Sequence, residues 1–326
     1  MLSAFSDVLI ADATILRLHD FLQGRYPACR TNHTQAAAKL HLVFSVLGQS
    51  EQKVKLTGER KKESQVWTIG AWVRNRLLLF DLGFFKYALL DRIDACGGFF
   101  ISRLKGLCNP TIVAVHQGCQ GRLLGCKLKD ALGFIRREIL DVEVEVSYKK
   151  RKYKGKRRTV RRSFRVVGIK NPTNQTYHLY ITNIPAYILP AQAIAHIYTA
   201  RWLIELVFKQ LKSFYGLEGF PSSNPHIVHT LIYSALITML LSQNIQQLLV
   251  DQATQEQTTR GGEEVFPLLR LAAVLRTYCK KLLERVLRQA GVKPSPLSLT
   301  ELIRREARDP NRRRPTLPQR LHRLSA

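Results

Sequence analysis

The sequence has few acidic residues, no closely paired cysteines and no long apolar run. Asp and Glu number only 24 against 51 Lys and Arg, which leaves a formal net charge of +27. None of the six cysteines forms a CxxC pair, and the spacing of Cys119 and Cys126 fits no common zinc site. The longest apolar run, "LIYSALITMLL" at 231–241, is too short to span a bilayer. We therefore expect neither a zinc site nor a membrane span, and we expect reduced, mostly buried thiols.

The excess of positive charge predicts a polyanionic partner. A compact chain with this excess repels itself, and the basic residues are spread through every segment, which favours DNA or RNA over a membrane surface. The densest run, "KKRKYKGKRRTVRRSFR" at 149–165, holds eleven Lys or Arg in seventeen residues. A solvated hairpin tip is the alternative reading of this run, but the charge density favours nucleic-acid contact. The candidate contacts are Lys150, Arg151, Lys152, Arg157 and Arg158.

The pattern of apolar residues predicts an α/β protein. Before residue 106, buried strands are predicted at 7–18, 39–48, 52–59, 76–81 and 99–105, with helices at 64–75 and 84–97. Alternating patterns at 106–189 indicate a β-rich insertion. Helices follow at 190–214, 225–249 and 267–291, with a polar linker at 254–264. We divide the chain into a first core segment (1–105), the basic insertion (106–189), a second core segment (190–250) and a helical basic C-terminal region (251–326).

Three acids are distinguished by their positions in these elements. Asp12 lies near the end of the first strand, Asp81 ends a later one, and Glu205 lies in the middle of a helix. If the two strands are adjacent and the helix crosses beside them, the carboxylates converge. Such oxygen ligands suit Mg²⁺ or Mn²⁺, and two ions about 3.5–4 Å apart could act on a phosphodiester. This order of strands and helix, with acids on the first and fourth strands, is that of an RNase H-like mixed sheet flanked by helices.

Simpler explanations exist for each acid. Glu205 could form an ordinary ion pair with Arg201 or Lys209, each worth roughly 0.2–0.5 kcal/mol. Asp12 could be a turn former or helix cap, as an acid at a strand end often is. Asp91, on the predicted helix at 84–97, is expected to face solvent.

The stretch "YTARWLIELVFKQLK" at 198–212 gives these acids a context. Tyr198, Arg201, Glu205 and Lys212 are spaced as Y-(2)-R-(3)-E-(6)-K, on one side of a helix. This pattern resembles that of bacterial DDE transposases of the insertion-sequence-four type. "ADAT" at 11–14, "FDLGFF" at 80–85 and "ITNI" at 181–184 resemble further motifs of that group, and the match covers most of 7–245.

The resemblance implies a role for each matched residue. Asp12, Asp81 and Glu205 would bind the catalytic ions, which the resemblance implies are two Mg²⁺ or Mn²⁺ ions. Tyr198, Arg201 and Lys212 would contact phosphates near the scissile bond. Trp202 could stack on a displaced base or could equally pack at the edge of the core. The implied activity is metal-dependent cleavage at the ends of a double-stranded DNA transposon and transfer of the 3′-hydroxyls into target DNA.

The chain departs from this group at its N-terminus. Only eleven residues precede Asp12, where relatives usually carry a mostly helical segment that recognises transposon ends. A truncated or domesticated remnant that binds DNA without cutting it is therefore the alternative, and an RNase H-type nuclease comes third. We expect a homodimer on DNA and a cytoplasmic, nucleoid-associated bacterial protein, since the first residues lack the features of a signal peptide.

Overall fold

A computed structural model describes residues 2–29, 34–47, 53–117, 120–150, 158–260 and 266–288. Their contacts divide the chain into two compact units. Of the described residues, the first unit holds those in 2–15 and 39–204, and the second holds those in 16–38 and 205–288. The strands are β1 (Asp7–Leu18), β2 (Ala36–Ser45), β3 (Lys53–Gly58), β4 (Arg76–Phe80), β5 (Phe99–Arg103), β6 (Thr111–Gln117), β7 (Ile139–Lys149), β8 (Thr159–Lys170) and β9 (Tyr177–Thr182). The helices are α1 (Tyr87–Ala95), α2 (Gln120–Leu123), α3 (Leu128–Phe134), α4 (Ala191–Tyr198), α5 (Trp202–Ser213), α6 (Pro225–Arg260) and α7 (Leu268–Arg288).

All nine described strands belong to one mixed sheet, in the order β3-β2-β1-β4-β5-β9-β8-β7-β6. β1, β4 and β5 run parallel, and β9, β8, β7 and β6 continue the sheet in antiparallel fashion. Helix α1 connects the parallel neighbours β4 and β5, as a parallel pair requires a crossover. The α/β class expected from the sequence is confirmed, and so is the adjacency of the two strands associated with Asp12 and Asp81.

Alternation along the strands separates two faces of this sheet. Ala11, Phe80, Phe100 and Phe164 are on one face, in a single apolar core. Side chains one residue away point to the opposite face, because the side-chain period of a strand is two. Helix α4 packs on β5, β7 and β8. The residues discussed below as a site lie on this second face.

The region 106–189, predicted as a β-rich insertion, contributes β6, β7, β8 and β9 to the same sheet. A buried ion pair holds its strands to the chain before α4. Arg165 of β8 bonds Asp141 of β7 through two nitrogens, at 2.8 and 2.6 Å. Its third nitrogen donates to the carbonyl oxygens of Ile184 and Leu189 at 3.1 and 2.7 Å. The proposed domain boundaries remain predictions.

In the second unit, α6 and α7 pack against each other around a small apolar cluster. Leu249, Ala253, Phe266 and Leu271 are its buried members. Tyr26 and His229 also meet in this unit, with the hydroxyl oxygen 2.7 Å from Nε2.

Several expectations about helices are wrong. Residues 64–75 form no α-helix but two single 3₁₀ turns, Glu63–Gln65 and Ala71–Val73, because Gly70 is fully extended between them. The helix expected at 190–214 is broken into α4 and α5 by a 3₁₀ turn at Thr199–Arg201. Helix α6 runs on to Arg260, through most of the expected linker, since that segment contains no Gly or Pro before Gly261.

The longer α6 also corrects the expectation about membrane spans. Pro225–Ala253 is long and apolar enough to cross a bilayer, with a mean hydropathy of 1.3. A core helix of a soluble protein passes the same test, so the finding by itself assigns no membrane.

Two smaller expectations also fail. Asp91 is 8% exposed, because it accepts hydrogen bonds from Tyr148 and Arg162. Cys29 is exposed, and Cys96, Cys108 and Cys126 are only half-buried, so these thiols are less buried than expected.

Candidate active site

Asp12 and Asp81 are neighbours at the point where β1 and β4 stop pairing. The last pair in their parallel register is Ala11 with Phe80, and the two aspartates follow it directly. Adjacent strands lie about 4.8 Å apart, so the two carboxylates leave the sheet side by side on one face. Asp12 is not near the end of its strand, as expected, but in the middle of β1, which continues to Leu18 beyond the pairing with β4.

Burial dominates the electrostatics of Asp12. It raises the pKa of this carboxyl to about 6. The backbone N–H of Ala13, 2.7 Å from Oδ1, and the charge of Arg201 oppose the shift, whereas the nearby Glu63 and Asp81 add to it. The site therefore concentrates negative charge that its own cations compensate only in part.

Arg201 and Tyr198 are also in this group. Arg201 Nη1 donates to Asp12 Oδ2 at 3.3 Å, and the two side chains are 19% and 18% exposed. Tyr198 is buried, and its hydroxyl donates to the carbonyl oxygen of Phe80, the residue before Asp81, at 3.3 Å. Burial raises the pKa of Tyr198 to about 12, so the hydroxyl remains a donor at neutral pH.

Trp202 begins α5 directly after Arg201, and its side chain is 58% exposed. A ring with this exposure keeps much of its surface available for stacking.

Glu205 and Lys212 lie further along α5, in the second unit. Glu205 is half-buried, four residues after Arg201. Burial lowers the pKa of Lys212, and Arg17 lowers it further, while Glu218 opposes this. A lysine beside another cation in a half-buried position suits an anionic ligand.

The donor set can be compared with the needs of a divalent cation. Among the residues that the structure describes, no three His, Cys, Asp or Glu side chains are close enough to form a metal site by themselves. Asp12 and Asp81 nevertheless fit Mg²⁺, which commonly takes one or two carboxylates and fills the remaining positions with water and substrate phosphate. The raised pKa of Asp12 is the sign of a charge that such a cation would stabilise.

A third acid, Glu63, lies beside the loop that follows Asp81. Its Oε1 pairs with Lys39 Nζ at 3.3 Å, and its Oε2 occupies the space where a side chain at Gly83 would begin. A Cβ at Gly83 would be 2.0 Å from that oxygen. A side chain at Gly83 would therefore require the Glu63 carboxylate to shift. No sequence pattern indicated Glu63.

The basic hairpin predicted to bind DNA is at a different part of the sheet. Arg151, Lys152 and Arg157 lie outside the described residues. Lys150 and Arg158 flank that gap, with the amide of Lys150 bonded to the carbonyl of Arg158 at 2.9 Å. Val167 of β8 is in register with Tyr180, and nine residues separate it from Arg158. At about 3.3 Å per residue, Arg158 is roughly 30 Å along the strands from the level of the aspartates.

Two further side chains are level with the aspartates, and the sequence patterns missed both. Phe80 pairs with Ser102, so Arg103 follows as the neighbour of Asp81, and Arg103 pairs with Tyr180. One sequence signal could have indicated Arg103. It ends the apolar strand β5, in the same way that Asp81 directly follows the apolar strand β4. This signal could be interpreted only once the strand order and register were known.

The chain is similar to transposases of bacterial insertion sequences. The chain is 23% identical over 296 residues to the transposase for insertion sequence element IS231F of Bacillus thuringiensis subsp. israelensis, which covers 78% of this chain and 61% of that protein. It is 24% identical over 273 residues to the transposase for IS1151 of Clostridium perfringens, covering 74% of this chain and 57% of the relative. The chain thus spans roughly 60% of the length of these relatives.

A shorter match reaches higher identity. Over 91 residues, 28% of the chain, it is 32% identical to the putative transposase InsL for insertion sequence element IS186A of Escherichia coli K12. The family model described as "Transposase DDE domain" matches residues 3–241, which contain Asp12, Asp81, Tyr198, Arg201 and Glu205. On that match, the chain belongs to the DDE transposases of bacterial insertion sequences.

Proposed function

We propose that this chain cuts double-stranded DNA at the ends of an insertion sequence and transfers the freed 3′-hydroxyls to target DNA. The observation that supports this best is the pair of aspartates on one face of the sheet, with Arg201 hydrogen-bonded to Asp12. The relatives named above are transposases of insertion sequences, and the same activity is proposed for this chain.

In this proposal Glu205 completes the acidic set. Its place in the Y-(2)-R-(3)-E-(6)-K pattern, four residues after Arg201, supports this assignment. Asp12, Asp81 and Glu205 would hold Mg²⁺ or Mn²⁺, as two ions. Bound there, the ions would activate water or a 3′-hydroxyl and stabilise the leaving oxygen. The arrangement then corresponds to an RNase H-like core, with the basic strands of 106–189 as its insertion.

The remaining residues would position DNA. Arg201 would neutralise the scissile phosphate from its place beside Asp12, and Lys212 would contact a phosphate further along α5. The hydroxyl of Tyr198 is 3.3 Å from the Phe80 carbonyl, a long bond that it could exchange for a phosphate oxygen. The exposed ring of Trp202 would stack on a displaced base.

The basic hairpin would contact DNA away from the cut, through Lys150, Arg151, Lys152, Arg157 and Arg158. Two ends must be held together for transposition, so we propose a homodimer on DNA. The protein would act in the bacterial cytoplasm, at the nucleoid.

Cleavage of a defined duplex tests the proposal. The substrate carries the inverted repeats that flank the gene, and nicking is followed with Mg²⁺ and with EDTA. We expect wild type to nick at the repeat boundary only with metal, and Asp12→Asn, Asp81→Asn and Glu205→Gln each to lose about a thousandfold in rate, since each removes a ligand of the ions. Asp130→Asn, an exposed acid of α3, is the matched control. Equal nicking by wild type and Glu205→Gln would exclude the assignment.

A further inference from the structure

The row of side chains that starts at Asp12 and Asp81 continues across two more strands. Arg103 lies beside Asp81 on β5, and Tyr180 lies beside Arg103 on β9. With adjacent strands about 4.8 Å apart, the Arg103 backbone is about 5 Å from that of Asp81 and about 10 Å from that of Asp12. The four side chains therefore face the same space, at the level where the parallel strands β4 and β5 end.

Arg103 is the neighbour of Asp81, but the two side chains are not at salt-bridge distance. The Arg103 side chain is exposed, and within the described part of the chain it forms no ion pair. Its Nη2 lies 3.4 Å from Nδ1 of His178, which can accept this hydrogen bond only as a neutral imidazole. His178 thus helps to orient the guanidinium without neutralising it.

An aromatic pair flanks this guanidinium. The rings of Tyr180 and Tyr198 are 5.2 Å apart between centroids and inclined by 60°. Burial raises the pKa of each tyrosine, and the positive charge of Arg103 acts against this shift in both. A planar cation with free donors beside an aromatic surface is a combination that binds phosphate well.

We propose that Arg103 binds a backbone phosphate of the DNA strand next to the phosphate that is cut, with Tyr180 and Tyr198 forming the wall of this subsite. The inference rests on the proposed function and extends its DNA contacts from α5 to the sheet itself. In this arrangement the DNA strand passes from the aspartates across β5 towards β9. Arg103 positions the substrate and takes no part in bond breaking.

Phosphate neutralisation tests this contact directly. A set of duplexes with the inverted repeats carries one uncharged methylphosphonate each, placed in turn at the phosphates on both sides of the repeat boundary. Binding is measured in EDTA, so that the DNA stays intact. We expect wild type to lose about tenfold in affinity at the phosphate that Arg103 contacts, as for one hydrogen bond to a charged group. Arg103→Ala should bind the unmodified duplex about tenfold more weakly and lose nothing further at that one position.

The matched control is Arg74→Ala. Arg74 is an exposed arginine just before β4, at the end of the strands opposite to Arg103. Arg74→Ala and Arg103→Ala each remove one positive charge, so the two variants have the same net charge. Arg74→Ala should retain the wild-type sensitivity at every position. Arg103→Lys keeps the positive charge and should recover part of the affinity, which a folding defect would not explain. Unfolding curves of all variants check directly that each one is folded.

The two proposals can fail separately. An Arg103→Ala protein as sensitive as wild type at every phosphate would overturn the subsite, even if wild type cuts the duplex with Mg²⁺. If Arg103→Ala loses sensitivity at one phosphate but wild type never cuts the duplex, the result supports the subsite and contradicts the proposed function. Equal weakening by Arg74→Ala and Arg103→Ala would mean general attraction to DNA and would also overturn the subsite.

Discussion

At the scale of single residues, burial outweighs pairing in setting the pKa of Asp12. Asp12 accepts a hydrogen bond from Arg201, yet burial still raises its pKa to about 6. A buried carboxylate whose charge is only partly compensated lowers the free energy of unfolding, and such groups are often found at binding sites. The sequence pattern grouped Asp12, Asp81, Tyr198 and Arg201, and their roles stay predictions; in the structure Arg201 bonds Asp12, and Tyr198 bonds the carbonyl of the residue before Asp81. The pattern could not indicate Glu63 or Arg103, because each depends on a neighbour distant in sequence.

His41 on β2 gives a prediction about pH and stability. It is fully buried, Nε2 is 2.8 Å from Thr57 Oγ1, and Nδ1 has no partner. Burial lowers its pKa to about 4, helped by Lys39 and Lys55. The unfolded chain therefore binds a proton more readily than the folded one below pH 6.5. We expect the free energy of unfolding to fall by roughly 2 kcal/mol between pH 7 and pH 5 through this group alone.

Chemical denaturation at pH 7, 6 and 5 measures this effect. His41→Gln, which cannot titrate, should lose most of the dependence in this range, although it will be less stable at pH 7. His116→Gln, an exposed histidine on β6, should keep the wild-type dependence. If His41→Gln retained the full slope, the loss of stability would have to arise elsewhere.

At the scale of elements, the segment "ITNI" shows what keeps the strands in register. Thr182 Oγ1 donates to the carbonyl of Phe100 at 2.6 Å, and Asn183 accepts from the amide of Phe100 at 3.0 Å. Asn183 also donates to Asp94 of α1 at 2.7 Å. These bonds fasten the end of β9 to the start of β5, and the same register aligns Arg103 with Tyr180.

Helix α1 is joined to the basic hairpin strands by one buried carboxylate. Asp91 accepts from Tyr148 of β7 and Arg162 of β8. Burial raises its pKa, but these two hydrogen bonds and the charges of Arg162 and Lys150 hold the pKa below its ordinary value. We expect Asp91→Ala to lower the free energy of unfolding by about 1–3 kcal/mol, because it leaves two donors without their acceptor.

A double-mutant cycle with Tyr148→Phe separates this bond from general damage. The two changes should be less than additive, since both remove the same hydrogen bond. Glu145→Gln, an exposed acid of β7, should change stability little. Strict additivity of Asp91→Ala and Tyr148→Phe would contradict the contact.

The elements themselves were largely predictable, and their pairing was not. Apolar runs located β1, β4 and β5, because strands covered on both faces leave a continuous signal. The helix predicted at 64–75 is wrong, although the apolar residues there have helical spacing. They belong to a segment with two short 3₁₀ turns on either side of an extended Gly70. Sheet order is invisible in the pattern because it depends on pairings between distant segments, such as β5 with β9.

At the scale of the whole molecule, the positive charge extends beyond the candidate site. The aspartates and Arg158 of the β7–β8 hairpin are roughly 30 Å apart along the strands. DNA held at both positions would therefore be contacted over roughly 30 Å. In this arrangement the site supplies the chemistry, and the hairpin supplies affinity that does not depend on sequence.

Salt dependence tests the role of the hairpin. For a protein with six to ten phosphate contacts, affinity for duplex DNA falls by about 10³–10⁵ between 50 and 200 mM salt. We expect a dependence of this size for wild type. Lys150→Ala combined with Arg158→Ala should reduce the slope of log affinity against log salt by about two, because each lost phosphate contact removes about 0.9 from it. Arg122→Ala with Lys129→Ala, exposed on α2 and α3, removes the same charge elsewhere and should change the slope less. Equal slopes for the two double variants would show that the net charge, and not the hairpin, attracts DNA.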